Sequence, residues 1–180
     1  IPSYLGLPKL TMFDCGQPIH CFDLDKISRT VLGNGEKDSP LIVIREAKDG
    51  EELTTLDNKQ LRLKPQNMVI ADPKNILAIA GVKGGKKAEV DINTKNIIIE
   101  VANFDPTSVR RTSKNINILT DAVKRYENDL SPELCSFAMV EMSALLIEFG
   151  NTEFEDVVDV YPEKQKVRKL SFSVEKISKI

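Results

Sequence analysis

A chain of 180 residues, 41% hydrophobic and 29% charged, has the make-up of one folded domain of ordinary size, or of one domain plus a short neighbouring segment, which excludes a disordered or low-complexity protein. A formal net charge of −2 excludes a uniformly basic nucleic-acid grip, leaving local clusters such as Lys83 with Lys86 and Lys87, Arg110-Arg111 with Lys114, and Lys164 to Lys169. No apolar run approaches the roughly 18 residues of a membrane span and Ile1-Pro2-Ser3-Tyr4 has no signal-peptide character, so a cytoplasmic protein is expected.

The first twenty residues, broken by Pro2, Gly6, Pro8, Gly16 and Pro18, read as irregular chain, and a short helix is expected from Phe22 to Ile27. After a turn-rich loop from Gly33 to Pro40, Leu41 to Arg45 has the β-branched, apolar character of a strand. Leu53 to Leu56 and Leu61 to Leu63 flank Asp57-Asn58-Lys59 as a β-hairpin. Further strands are expected at Met68 to Ala71, Ile76 to Val82 and Asn96 to Val101, the last apolar enough for burial on both faces.

Asp105-Pro106 opens a helix as N-cap and first helical residue, and Thr120-Asp121 begins another. The strongest helix starts at Ser131-Pro132-Glu133 and places Leu134, Ala138, Met142, Leu145, Leu146 and Phe149 on a stripe that should dock on the sheet, ending at Gly150. Beyond it, Val167 to Phe172 alternates and Ser173 starts an amphipathic helix with Val174, Ile177 and Ile180 in phase, as though cut through a longer polypeptide. The expected fold is α+β: a mostly antiparallel or mixed sheet with flanking helices.

The usual catalytic signatures are missing: there is no G-x-S-x-G, H-E-x-x-H or Walker-type sequence. Cys15, Cys21 and Cys135 lack C-x-x-C spacing and His20 is the only histidine, so free thiols are expected and no metal site. His20 alone reads first as structural, and Gly84-Gly85 as either a plain turn or an anion cradle. Glu100 is more informative, because a carboxylate inside an apolar strand is costly unless satisfied. Either it pairs with Arg110, Arg111 or Arg125, or it sits at an exposed strand end, or it accepts a hydrogen bond from a ligand in an apolar pocket.

Five segments in order carry a resemblance: Gly16-Gln17-Pro18-Ile19-His20-Cys21-Phe22-Asp23, Val69-Ile70-Ala71-Asp72, Ala78 to Gly85, Ile99-Glu100-Val101-Ala102-Asn103-Phe104 with Pro106, and Thr120-Asp121-Ala122 with Arg125-Tyr126-Glu127. Together they resemble the editing domain of the bacterial phenylalanyl-tRNA synthetase beta subunit. The resemblance implies that residues 1–150 form that domain and 151–180 a linker with the start of the next. It implies hydrolysis of tyrosine mischarged on phenylalanine tRNA; since the sequence offers no evident protein nucleophile, direct water attack is expected, with or without help from the terminal ribose hydroxyl of the tRNA.

By position, His20 and Thr120 match the family's catalytic residues, while Gly84, Glu100 and Ala122 match its substrate pocket, Glu100 recognising the tyrosine hydroxyl. The resemblance further implies tRNA and an alpha subunit as partners, no cofactor in this segment, and ATP with magnesium for aminoacylation by the whole enzyme. Three departures stand out: the arginine that the family places before Gly-Gln-Pro has no assigned match, Asn128-Asp129 replaces the family's Arg-Gly after Arg-Tyr-Glu, and the loop from Ser28 to Pro40 is longer than usual. The alternative reading is a non-catalytic tRNA-binding or subunit-assembly module; related domains also occur in the lysidine synthetase.

Overall fold

The computed structural model describes residues 6–30, 39–150, 152–155, 157–165, 169, 171 and 173. The alternating segment and amphipathic helix expected after Val167 therefore fall almost wholly outside the described residues.

The chain opens with a helix, α1 (Leu7–Cys15), where irregular structure was expected. The breakers bracket it rather than interrupt it. Pro8 sits in the first turn, where its missing N–H is not needed. Gly16, at φ +85°, ends the helix with its N–H donated to Met12 O at 3.0 Å.

Next comes β1 (Ile19–Asp23), a strand running through residues expected to begin a helix; only Leu24–Lys26 makes a single 3₁₀ turn. Pairing wins over local propensity here. β1 is one half of an antiparallel ribbon with β10 (Ile97–Val101), the partners running from Ile19 opposite Val101 to Asp23 opposite Ile97. The Asp23 carboxylate then accepts the Asp25 N–H at 3.0 Å and starts the turn.

Between the ribbon strands lie β2 (Arg29–Thr30), paired with β3 (Ser39–Pro40), and a hairpin of β5 (Glu52–Thr54) with β6 (Gln60–Arg62). A four-stranded sheet is ordered β4 (Val43–Glu46), β7 (Met68–Ala71), β8 (Ile76–Ile79), β9 (Lys83–Gly84). Every strand pairing among the described residues is antiparallel. The architecture is thus α+β, with antiparallel sheets and flanking helices as expected.

Three helices follow. α2 (Pro106–Ile116) is capped by Asp105, whose carboxylate accepts the Ser108 N–H at 2.7 Å, and it ends at Asn117 in the left-handed region. α3 (Asp121–Tyr126) is capped by the Thr120 hydroxyl. α4 (Leu134–Gly150) buries Ala138, Met142 and Leu146 but leaves Phe149 exposed, so the docking stripe is narrower than the sequence suggested.

Side chains alternate across a strand, and the ribbon divides the core in two on that basis. Phe22 and Ile98 face the main core, built on Val69, Ile70, Leu77, Ile79, Val109 and Val123. Ile19, Cys21, Ile97 and Ile99 face a second core of Leu7, Met142 and Leu146, contributed by α1 and α4. Any group that shares the side of Phe22 and Ile98 therefore points away from α4.

Candidate functional site

His20 and Glu100 are that kind of group. They stand directly opposite each other in the β1–β10 register and line one pocket with Gly84, Ala122 and apolar walls from Ile70, Ile79, Phe104 and Tyr126. Residues so paired have Cβ atoms about 5 Å apart, close enough for one small group to touch both. Glu100 forms no ion pair among the described residues, so the arginine-pairing alternative fails. The exposed-strand-end alternative fails as well, because Glu100 is partly buried and lines the pocket.

Burial sets the charge state of both groups. Desolvation by burial pushes the Glu100 carboxyl up to about 7. The same loss of hydration pushes the His20 imidazole down to about 4, so it is neutral at physiological pH. The ring also packs edge-on against Phe22, with centroids 4.6 Å apart and planes at 79°.

Gly84 is what allows the imidazole its place. A Cβ on residue 84 would lie 2.7 Å from His20 Cε1 and 2.9 Å from Leu56 Cδ1. The glycine thus contributes absence of bulk. Gly81, at φ +69°, makes the turn between β8 and β9, and a Cβ there would meet Val109, Phe104 and Tyr126.

Thr120 differs from the other four residues singled out by sequence. It does not line the pocket, and its hydroxyl donates to Val82 O at 3.0 Å while accepting the Val123 N–H at 3.1 Å. It ties α3 to the β8–β9 connection and so sets the position of Ala122. His20, Gly84, Glu100 and Ala122 converge on the pocket; Thr120 stands behind it.

Several lining residues were not among the site residues expected from the sequence: Pro18, Phe104, Tyr126 and Lys83, the last noted only as part of a basic cluster. Lys83 Nζ pairs with Asp57 at 3.4 Å. The Tyr126 hydroxyl lies 3.0 Å from Ala102 O and 3.3 Å from Pro18 O, and the buried Gln17 side-chain amide donates to Ala102 O at 2.8 Å. Gln17 and Tyr126 therefore join the start of β1 to the chain leaving β10, next to the paired His20 and Glu100. Both had been quoted only as parts of longer matching segments.

Cys21, next to His20 in sequence, faces the other side of the ribbon, and burial with the nearby Glu100 charge pushes its thiol up to about 12. A thiolate nucleophile is not available from it. Among the described residues no group of three or more His, Cys, Asp or Glu side chains is placed to hold a metal ion, and no helix is long and apolar enough to cross a membrane.

The pocket is small, about 90 Å³, and open to solvent. A cavity of about 150 Å³ holds benzene, so the pocket as it stands is too small to enclose an aromatic ring.

Comparison with known proteins supplies the remaining findings. The model of the B3/4 domain family matches residues 9–151. Among curated proteins, the phenylalanine–tRNA ligase beta subunit of Fusobacterium nucleatum is 39% identical over 180 residues, covering 99% of this chain and 21% of the relative. The proteins of the same name from Clostridium acetobutylicum and Carboxydothermus hydrogenoformans are 38% and 36% identical, covering 92% and 91% of the chain but 20% and 19% of their own lengths. The chain spans about a fifth of the length of these relatives.

Proposed function

The chain belongs to the B3/4 domain family, and on that premise we propose that it is a proofreading hydrolase domain that removes tyrosine from mischarged phenylalanine tRNA. The observation that carries the proposal is Glu100, a carboxyl with no ion pair among the described residues, in an apolar pocket and facing His20 across the ribbon. Tyrosine and phenylalanine differ by one hydroxyl, and a merely roomy apolar pocket separates such a pair weakly. A desolvated carboxylate separates them better, because the phenol O–H satisfies it whereas phenylalanine leaves it unpaired.

Hydrolysis then requires a water held in line with the ester carbonyl. His20, neutral because of its burial, orients that water or the ester as a hydrogen-bond partner rather than storing a proton. Gly84 leaves the imidazole its place beside the ester, and Thr120 acts through Ala122 as a positioning residue. Direct water attack needs no cofactor in this domain. In a protein of the relatives' length, an alpha subunit would complete the ligase, and aminoacylation with ATP and magnesium would reside in that cytoplasmic assembly.

The test is deacylation of tyrosyl- and phenylalanyl-tRNA of the phenylalanine type. The wild-type chain is expected to prefer the tyrosyl ester, and Glu100→Ala to reduce that preference by roughly 5- to 100-fold, corresponding to about 1 to 3 kcal/mol. An unchanged preference removes Glu100 as selector. The second reading, a binding or assembly module without hydrolysis, is favoured by the exposed apolar residues on α4. It prevails if the wild-type chain binds the tRNA and leaves both esters intact.

A further inference from the structure

α4 is apolar over most of its circumference, its two acids, Glu141 and Glu148, lying two turns apart on one line, and a helix of that composition is usually covered on more than one side. Its inner face, Ala138, Met142 and Leu146, covers the back of the β1–β10 ribbon. Its outer face repeats at Phe137, Val140, Ala144 and Ile147, and the three large side chains are 55%, 69% and 60% exposed. The chain beyond the helix extends this surface. The Thr152 hydroxyl donates to Leu146 O at 3.1 Å, and the Asp159 charge acts on Cys135 near the helix start, so both Thr152 and Asp159 lie beside α4. Val157, Val158 and Val160 in that stretch are all at least 70% exposed.

Charge narrows what can cover this face. Between Arg125 and Lys164 the sequence has no lysine, arginine or histidine, whereas acids recur from Glu127 to Glu163. A polyanion is repelled by such a surface, so RNA is a poor occupant. A second copy of α4 would bring the same acids against its own and is opposed by like-charge repulsion. An apolar protein face rimmed by lysine or arginine meets both requirements.

Area narrows it again. A helix of 17 residues is about 25 Å long, and a stripe about 10 Å wide on it offers roughly 250 Å². Even with the chain that follows the helix this falls short of the roughly 800 Å² per partner of a stable free association. It fits a contact between domains tethered in one chain, where effective concentration replaces area. The chain spans about a fifth of its relatives, so such neighbours exist in proteins of that length.

We propose that the outer face of α4, with the chain that follows it, docks against another domain of a longer polypeptide that carries this one, through an apolar patch rimmed by basic residues. The contact lies on the opposite side of the ribbon from His20 and Glu100, so it holds the domain in place and leaves the pocket mouth free. It is independent of whether the pocket hydrolyses anything.

The test puts a photo-crosslinking phenylalanine analogue at Val140, and separately at the exposed Lys74, in the full-length polypeptide. Val140 is expected to give crosslinks within the same polypeptide to a segment where apolar residues lie beside lysine or arginine, and Lys74 to give none to that segment. No crosslink at Val140, a crosslink to RNA, or one between two copies of α4 overturns the proposal. As a second measurement, α4 amides are expected to exchange hydrogen roughly ten-fold or more slower in the full-length polypeptide than in the 180-residue chain; equal exchange overturns it.

Discussion

His20 and Glu100 respond to burial with opposite consequences for stability. When unfolded, Glu100 loses its proton near 4.5, but folded it holds it to about 7. Between those values the native state binds the extra proton, and stability falls as pH rises. His20 gains its proton near 6.5 unfolded and only near 4 folded, so there the unfolded state binds the extra proton and stability rises with pH. Each effect is worth roughly 3 kcal/mol, and over the shared window from pH 4.5 to 6.5 the two slopes nearly cancel. Replacing Glu100 by Gln removes one of them. Denaturant titrations of Glu100→Gln should show stability rising by roughly 3 kcal/mol across that window relative to wild type; profiles that stay parallel would falsify the assignment of these shifts to burial.

Among the elements, the β8–β9 hairpin places two adjacent glycines under different constraints. A Cβ on residue 84 would press on the His20 ring and a leucine methyl, both able to move; on residue 85 it would lie 2.5 Å from the Leu77 carbonyl oxygen, which is fixed in the sheet. Gly84→Ala should therefore melt within a few degrees of wild type but lose deacylation at least about ten-fold, while Gly85→Ala should be destabilised by roughly 3 kcal/mol or more. Thermal melts beside the deacylation assay separate the two. The same hairpin illustrates what was legible in sequence. Strands with β-branched runs and helices with caps, such as β10 and α2, could be read because local preference and final structure agree. α1 could not, because its proline and glycine are equally at home in a loop, nor could the end of β1, where a partner 74 residues away overrides a helical pattern. Glu100 stood out as an acid among isoleucines. Tyr126 and Gln17 did not, since the hydrogen bonds that give them meaning join distant segments.

For the whole molecule, the second core decides how α1 and α4 are held to the rest. Met142 is fully buried at the meeting of both helices with the ribbon, its sulfur 3.7 Å from the Thr11 hydroxyl. Met142→Ala should cost about 2 to 5 kcal/mol in equilibrium unfolding, with the proposed tyrosine selectivity unchanged in the folded fraction because the pocket uses the other side of the ribbon. A cost under about 1 kcal/mol would mean that the helices are only loosely seated. The two-sidedness of the ribbon also bears on which changes evolution can accept. Losing or gaining one residue within β1 or β10 would exchange odd positions for even ones, turning Cys21 or Ile99 into the pocket and His20 or Glu100 toward α4. Homologues should therefore keep the chemistry of each face of these strands and change their length only in steps of two, with single insertions confined to the loops beyond.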